Sequence, residues 1–193
     1  MIDYFSSDEF VEPTRGDILI SEPYLPDPNF ERSVILLCEH NEEGSFGFIL
    51  NQPTQINLSD IMDEVNIDDV NVFLGGPVQK DTLHFLHQKP GLFENDQKVN
   101  EGIYWGGDFD GLLSAINIKT IDTNDVKFFV GYSGWSSDQL MEELKAKSWI
   151  VCKNVTADII FNSEPESLWK DVLGSMGGKF KMIANYPADP RLN

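Results

Sequence analysis

The sequence predicts a single α+β domain on a mixed β-sheet, and three observations lead there. Apolar, β-forming runs bounded by Gly, Pro, Asn and Asp fill most of the first two thirds of the 193 residues. Helical periodicity is confined to four separate segments that interleave with those runs. The length allows one sizeable core and is short for two independent ones. No internal repeat, linker or low-complexity tract divides the chain, so residues 1–193 read as one domain.

Taken in order, strands are expected at 16–21 (GDILIS), 33–39 (SVILLCE), 44–51, 71–76, 83–88, 101–107, 126–132, 148–153 and 157–162 (ADIIFN). Several are continuous apolar runs, the pattern of strands buried on both faces. The first helix is expected over NLSDIMDEVN, where Leu58, Ile61, Met62 and Val65 fall at i, i+3, i+4 and i+7. Asp108 or Asp110 is placed to cap a second through Leu112, Leu113 and Ile116. The third starts at the GYSGWSS junction, with Ser136 as N-cap, Gln139 completing a capping box, and Trp135 stapled to Leu140. The fourth, EPESLWKDVLGSM, aligns Leu168, Trp169, Val172, Leu173 and Met176. Residues 1–12 and 188–193 read as extended and mobile.

Charge narrows the function. Fourteen Lys and Arg face 32 Asp and Glu, a formal net charge of -18 with a pI near 4.3. A nucleic-acid binder displaces phosphate counterions with clustered cations. The densest basic groups here are the pairs Lys145/Lys147 and Lys179/Lys181, so direct nucleic-acid binding is not expected. An anionic membrane would repel the chain, and no apolar stretch approaches the ~20 residues that span a bilayer. The start, MIDYFSSDEF, has neither a cationic nor an apolar signal region, so a soluble cytoplasmic protein is expected. Cys38 and Cys152 sit inside expected strands and read as buried thiols, with a bridge between them left open.

The stretch FFVGYSGWSS imitates a nucleophile elbow, but the pattern G-x-S-x-G fails because Trp135 stands two residues after Ser133. No histidine follows Ser133 either, so no catalytic residue is assigned. His84 and His87 are three apart on an expected strand and point to opposite faces, which prevents them from sharing a metal. His40, among Glu39, Glu42 and Glu43, could hold a cation weakly, yet solvated charge at a hairpin end is the preferred reading. The turns VFLGGPV and IYWGGDFDG match no phosphate-binding motif, and close strand approach explains their glycines. Neither metal nor cofactor is expected.

Five stretches together carry a resemblance: GDILISEPYLPDPNFERSVILLCEH (16–40), GSFGFILNQPT (44–54), VFLGGPV (72–78), GGDFDGL (106–112) and FFVGYSGWSSDQLMEELKAKSWIV (128–151). In this order, with the tail ADPRLN, they resemble the AlgH/YqgE family of bacterial proteins. The resemblance implies a single α+β domain with a branched mixed sheet, curled into a pseudo-barrel and flanked by helices. It implies no established reaction, although the family has been labelled a transcriptional regulator of alginate synthesis. Its members often carry glycine just before Gln139 and glutamate at the position of Met141; here Asp138 and Met141 stand there.

The leading expectation is a non-enzymatic protein acting through a protein partner or a small ligand. Its candidate surface combines Pro23, Asp27 and Phe30 with His40, the Gly75-Gly76-Pro77 turn, and Ser133 with Trp135, because loops at strand ends carry function. The rivals are a transcription factor, opposed by the charge, and an enzyme with an acid–base site at His40 and Glu39.

Overall fold

Alternate side chains of the apolar runs are taken up by two different cores, which makes the central strands hydrophobic throughout. In the computed structural model, which describes residues 11–62, 70–91, 93–153 and 155–188, Ile18, Ile20, Leu36 and Cys38 enter one core while Leu19, Ile35 and Leu37 enter another. They belong to β1 (Ile18–Ser21) and β2 (Val34–Asn41). Period-two alternation thus decides the core for each residue, and both faces are covered.

The remaining strands are β3 (Gly44–Ile49), β4 (Pro53–Asn57), β5 (Asn71–Leu74), β6 (Val78–His87), β7 (Gln97–Asn100), β8 (Ile103–Trp105), β9 (Val126–Ser136) and β10 (Trp149–Cys152). The ten strands of the described residues join one sheet, whose main path runs β10-β1-β2-β3-β9-β6-β8-β7 with antiparallel neighbours. The branch is at β9. Its start pairs with β6 and, in parallel, with β5, while its end, Ser133–Ser136, pairs with β3. The sheet is not closed, but it curls: Asn100 of β7 donates from Nδ2 to the Gly16 carbonyl, 3.2 Å away, just ahead of β1. This is the branched, mixed, helix-flanked sheet expected from the resemblance.

Helices cover the sheet as α1 (Leu58–Ile61), α2 (Phe109–Asn117), α3 (Gln139–Lys145), α4 (Ala157–Phe161), α5 (Pro165–Met176) and α6 (Gly178–Ile183). The core inside the curl joins Phe48, Phe129 and Leu86 to Leu168, Trp169, Val172 and Leu173 of α5. A second core packs α2, through Leu112, Leu113 and Ile116, on Phe85 and Phe128. In the third, Leu140 and Leu144 of α3 lie with Trp135, Trp149 and Ile35. Asp108 is the N-cap residue of α2, and Pro165 occupies the first turn of α5, where a missing N–H does no harm.

Three local expectations change. The stretch expected as a strand at 157–162 is instead the helix α4 (Ala157–Phe161) with Asn162 as its C-cap: Thr156 caps its start by accepting from the Ile159 amide at 3.4 Å, and Ile160 is its buried residue. The third helix starts two residues later than expected. Ser136 remains in β9, paired with Gly44, so Asp138 becomes the N-cap residue. Half of the expected box survives, since the Gln139 Oε1 accepts from the Ser136 amide at 3.1 Å. Asp138 adopts φ 65°, the left-handed region that favours glycine, at the position where the resemblance expects one. Finally, β4 and β7 are short strands with no expected counterpart.

The first helix is seen over Leu58–Ile61; its expected continuation through Val65 lies outside the described residues, as do residues 1–10 and 189–193 of the two expected mobile ends.

Candidate functional site

Where β3, β6, β8 and β9 meet at the mouth of the curl, large aromatic side chains are left half-buried. Phe46 of β3, Trp105 of β8 and Tyr132 of β9 flank a cleft of about 640 Å³, with His84 of β6 beside them. The Phe46 ring lies 4.7 Å from that of Trp105 and 6.1 Å from that of Tyr132, at interplanar angles of 64° and 79°. Glu39 and Glu43, from the β2–β3 hairpin, stand on the rim.

Register builds this arrangement. Phe46 pairs with Gly134, and the absence of a side chain at Gly134 leaves Phe46 and Tyr132 neighbours on one face. A Cβ on Gly134 would stand 3.2 Å from the Tyr132 ring. Val78 pairs with Tyr132 across the β6–β9 ladder and closes one side. Asn41 donates from Nδ2 to Glu39 at 2.7 Å, which uses one carboxylate oxygen and leaves the other.

His84 packs its ring 5.3 Å from Phe48 and 6.0 Å from Tyr132. Burial lowers its pKa, so the neutral ring is favoured. The Thr82 hydroxyl donates to the Gln79 carbonyl at 2.7 Å and therefore accepts from His84 Nε2–H at 2.9 Å. Nδ1 is then the lone-pair acceptor. No Lys or Arg lines this cleft, so among the described residues its only formal charges are negative.

Ser133 has no place in it. Its side chain is fully buried on the other face of β9 and donates to the Gly75 carbonyl at 3.1 Å. The Gly75-Gly76-Pro77 turn does meet this junction, through backbone. Gly75 accepts from Ile49 N–H at 2.9 Å, and a Cβ on Gly76 would fall on the Tyr132–Ser133 peptide. Close approach is why these glycines are glycines. Trp135, 5% exposed, touches the cleft edge but belongs to the α3 core.

The other expected surface residues separate from the cleft. Phe30 stacks on Trp135 at 6.4 Å and meets Trp149 edge-on at 5.4 Å, so it converges with the junction as packing. Asp27 holds its own loop, accepting from the Asn29 amide at 2.9 Å, and Pro23 is buried. His40 and Glu39 line different cavities. His40 lines a hollow of about 400 Å³ with Ser136, Asp138 and Met141, and its Nδ1 is 2.6 Å from Ser45 Oγ.

His84 and His87 sit in separate aromatic groups, as alternation requires. His87 is fully buried, stacked 5.4 Å from Tyr104, with Asp96 3.8 Å away. Desolvation lowers its pKa, and Asp96 opposes that. Cys38 and Cys152 are both buried, on β2 and β10, with β1 between them. Two strand spacings, about 9–10 Å, exceed the ~7 Å reach of a disulfide. Among the described residues no group of three His, Cys, Asp or Glu side chains is arranged to hold a metal, and no helix is long and apolar enough to cross a membrane.

The residues that sequence reasoning missed are Phe46, Trp105 and Tyr132. Each lies inside a recognised motif (GSFGF, IYWGG, GYSGW), next to a glycine. The available signal was alternation: in GYSGW, Tyr132 and Gly134 share one face and Ser133 and Trp135 the other.

The fold defines a class: single-domain α+β proteins with a large open sheet flanked by helices. The AlgH-like family model, DUF179, matches residues 18–181, and the chain belongs to that family. It is 48% identical over 181 residues to a UPF0301 protein of Cytophaga hutchinsonii, covering 93% of this chain and 99% of that one. The solution structure of the AlgH protein from Pseudomonas aeruginosa is similar at TM-score 0.72 and 27% identity, covering 93% of this chain and 98% of that one. A crystal structure of a protein from Corynebacterium diphtheriae shares the fold, with TM-score 0.75, 20% identity and coverage of 94% and 97%.

Proposed function

We propose that this AlgH-like protein is a non-enzymatic binding protein that takes a small ligand in the aromatic cleft at the mouth of its sheet. One observation carries the reading: Phe46, Trp105 and Tyr132 stay half-buried around about 640 Å³ of open space. Ligand sites typically enclose ~300–1,000 Å³ and combine apolar walls with a few polar groups. Here the polar groups are Glu39, Glu43 and neutral His84. Converging half-buried aromatics are informative in a way that scattered ones are not.

The test is a fragment screen read by backbone and aromatic chemical shifts. Hits should cluster on Phe46, His84, Trp105 and Tyr132, and a Tyr132→Ala variant should lose them. Hits confined to the His40 hollow or to other surfaces would remove the cleft from consideration.

The 2.6 Å contact between His40 Nδ1 and Ser45 Oγ favours a second reading, a hydrolase with Ser45 as nucleophile. Among the described residues no carboxylate bonds to His40 to orient it, which sets this reading behind the first. Stoichiometric labelling of Ser45 by a fluorophosphonate, abolished in His40→Ala, would reverse the order.

A further inference from the structure

Resting on the cleft being a ligand site, we propose that its ligand is a small organic cation with an alkylated ammonium head group. Three features converge on that chemistry. First, three aromatic rings, Phe46, Trp105 and Tyr132, line the cleft, and the face of an aromatic ring attracts a cation within about 6 Å of its centroid. Second, the rings stand far from parallel, at 64° and 79° to Phe46. Rings inclined steeply to Phe46 suit a tetrahedral head group whose methyl groups point several ways. A flat guanidinium would call for parallel faces. Third, the polar groups are of one sign or neutral. Glu39 and Glu43 are on the rim, burial favours the neutral form of His84, and no described residue of the lining is Lys or Arg.

The net charge of -18 adds long-range attraction for a cation and repulsion for an anion. An anionic ligand would meet two carboxylates and no compensating cation. A neutral apolar ligand would leave both carboxylates without purpose in binding. The volume, about 640 Å³, is ample for an ammonium head with a short body.

The experiment titrates the full-length protein with choline and with its uncharged isostere, in which carbon replaces the ammonium nitrogen. Trp105 fluorescence and cleft chemical shifts report binding. Choline should bind about tenfold more tightly than the isostere, the scale expected of a desolvated cation–π contact. Glu43→Gln, an exposed substitution with little effect on folding, should weaken choline several-fold and leave the isostere unchanged. Trp105→Leu should abolish both.

Equal binding of the two probes, or indifference of choline to Glu43→Gln, overturns the cation proposal and leaves the cleft as a ligand site. A neutral or anionic fragment that occupies the cleft while choline does not has the same meaning. If choline, the isostere and the fragment library all leave the cleft resonances unmoved, the underlying binding reading falls as well.

Discussion

Trp135 donates its indole N–H to Glu143 Oε2 at 2.9 Å, and Trp149 donates to the same oxygen at 2.7 Å. One carboxylate of α3 therefore ties the end of β9 to the start of β10. Its second oxygen accepts from Gln139 at 3.0 Å. Glu143→Ala removes the acceptor of two indoles whose rings are 5% exposed. The expected loss is about 2–4 kcal/mol, from two donors left without a partner. Glu143→Gln keeps an oxygen and should lose less. Urea midpoints at unchanged slope measure both, and an alanine variant as stable as the parent would mean the clamp is idle.

Ser133→Ala should cost about 1 kcal/mol, at the low end for a buried hydroxyl. The Gly75 carbonyl keeps its other donor, the Ile49 amide, so no acceptor is orphaned. Trp135→Ala should cost ~3–5 kcal/mol through lost burial and a cavity. Urea unfolding of the two variants compares them directly. The reverse ranking would contradict the structural account of the GYSGW junction.

Lys127 supplies a pH test. Its ammonium lies 4.0 Å over the Phe73 ring and donates to the Ile160 carbonyl at 3.2 Å, near the end of α4. Burial outweighs that attraction and pushes its pKa down to about 8. The unfolded chain holds this proton up to ~10.4. Between those values the unfolded state binds more protons, so this group makes stability rise with pH. Buried Cys38 acts oppositely, because burial raises its thiol pKa. Lys127→Met isolates the lysine. The variant's stability relative to the parent should fall by up to about 2–3 kcal/mol as pH goes from 7 to 10. A gap that does not change over that range would show that Lys127 titrates normally.

Duplex DNA, random or promoter, should not be retarded at ~150 mM salt, because counterion release supplies most non-specific affinity and the net charge is -18. A salt-sensitive shift at sub-micromolar protein would restore the regulator reading.

Continuous apolar runs such as SVILLCE revealed buried central strands without any structure, because burial on both faces removes polar alternation. The stripes of α2 and α5 were equally legible, since an amphipathic face is written in residues three and four apart. ADIIFN misled for the same reason that short apolar runs always can: six residues contain fewer than two helical turns, and period alone cannot separate helix from strand. Thr156 was the overlooked signal, an N-cap residue just ahead of it.

By itself the sequence determined the α+β class, the alternating faces of its strands and the strongly acidic charge, all of them local or summed properties of the chain. Only the tertiary structure decided which face of β9 meets solvent at the cleft, and so put Tyr132 there instead of Ser133. It also decided that Phe46, Trp105 and Tyr132 meet, though the nearest two are 27 positions apart in sequence. The physical reason is that alternation reports that two faces differ, whereas strand pairing across long loops chooses what covers each face. Phe46 reaches Tyr132 through the Phe46–Gly134 register of β3 on β9, and Trp105 joins them through β8 on β6. Such non-local pairings leave no periodic mark on the residues that make them.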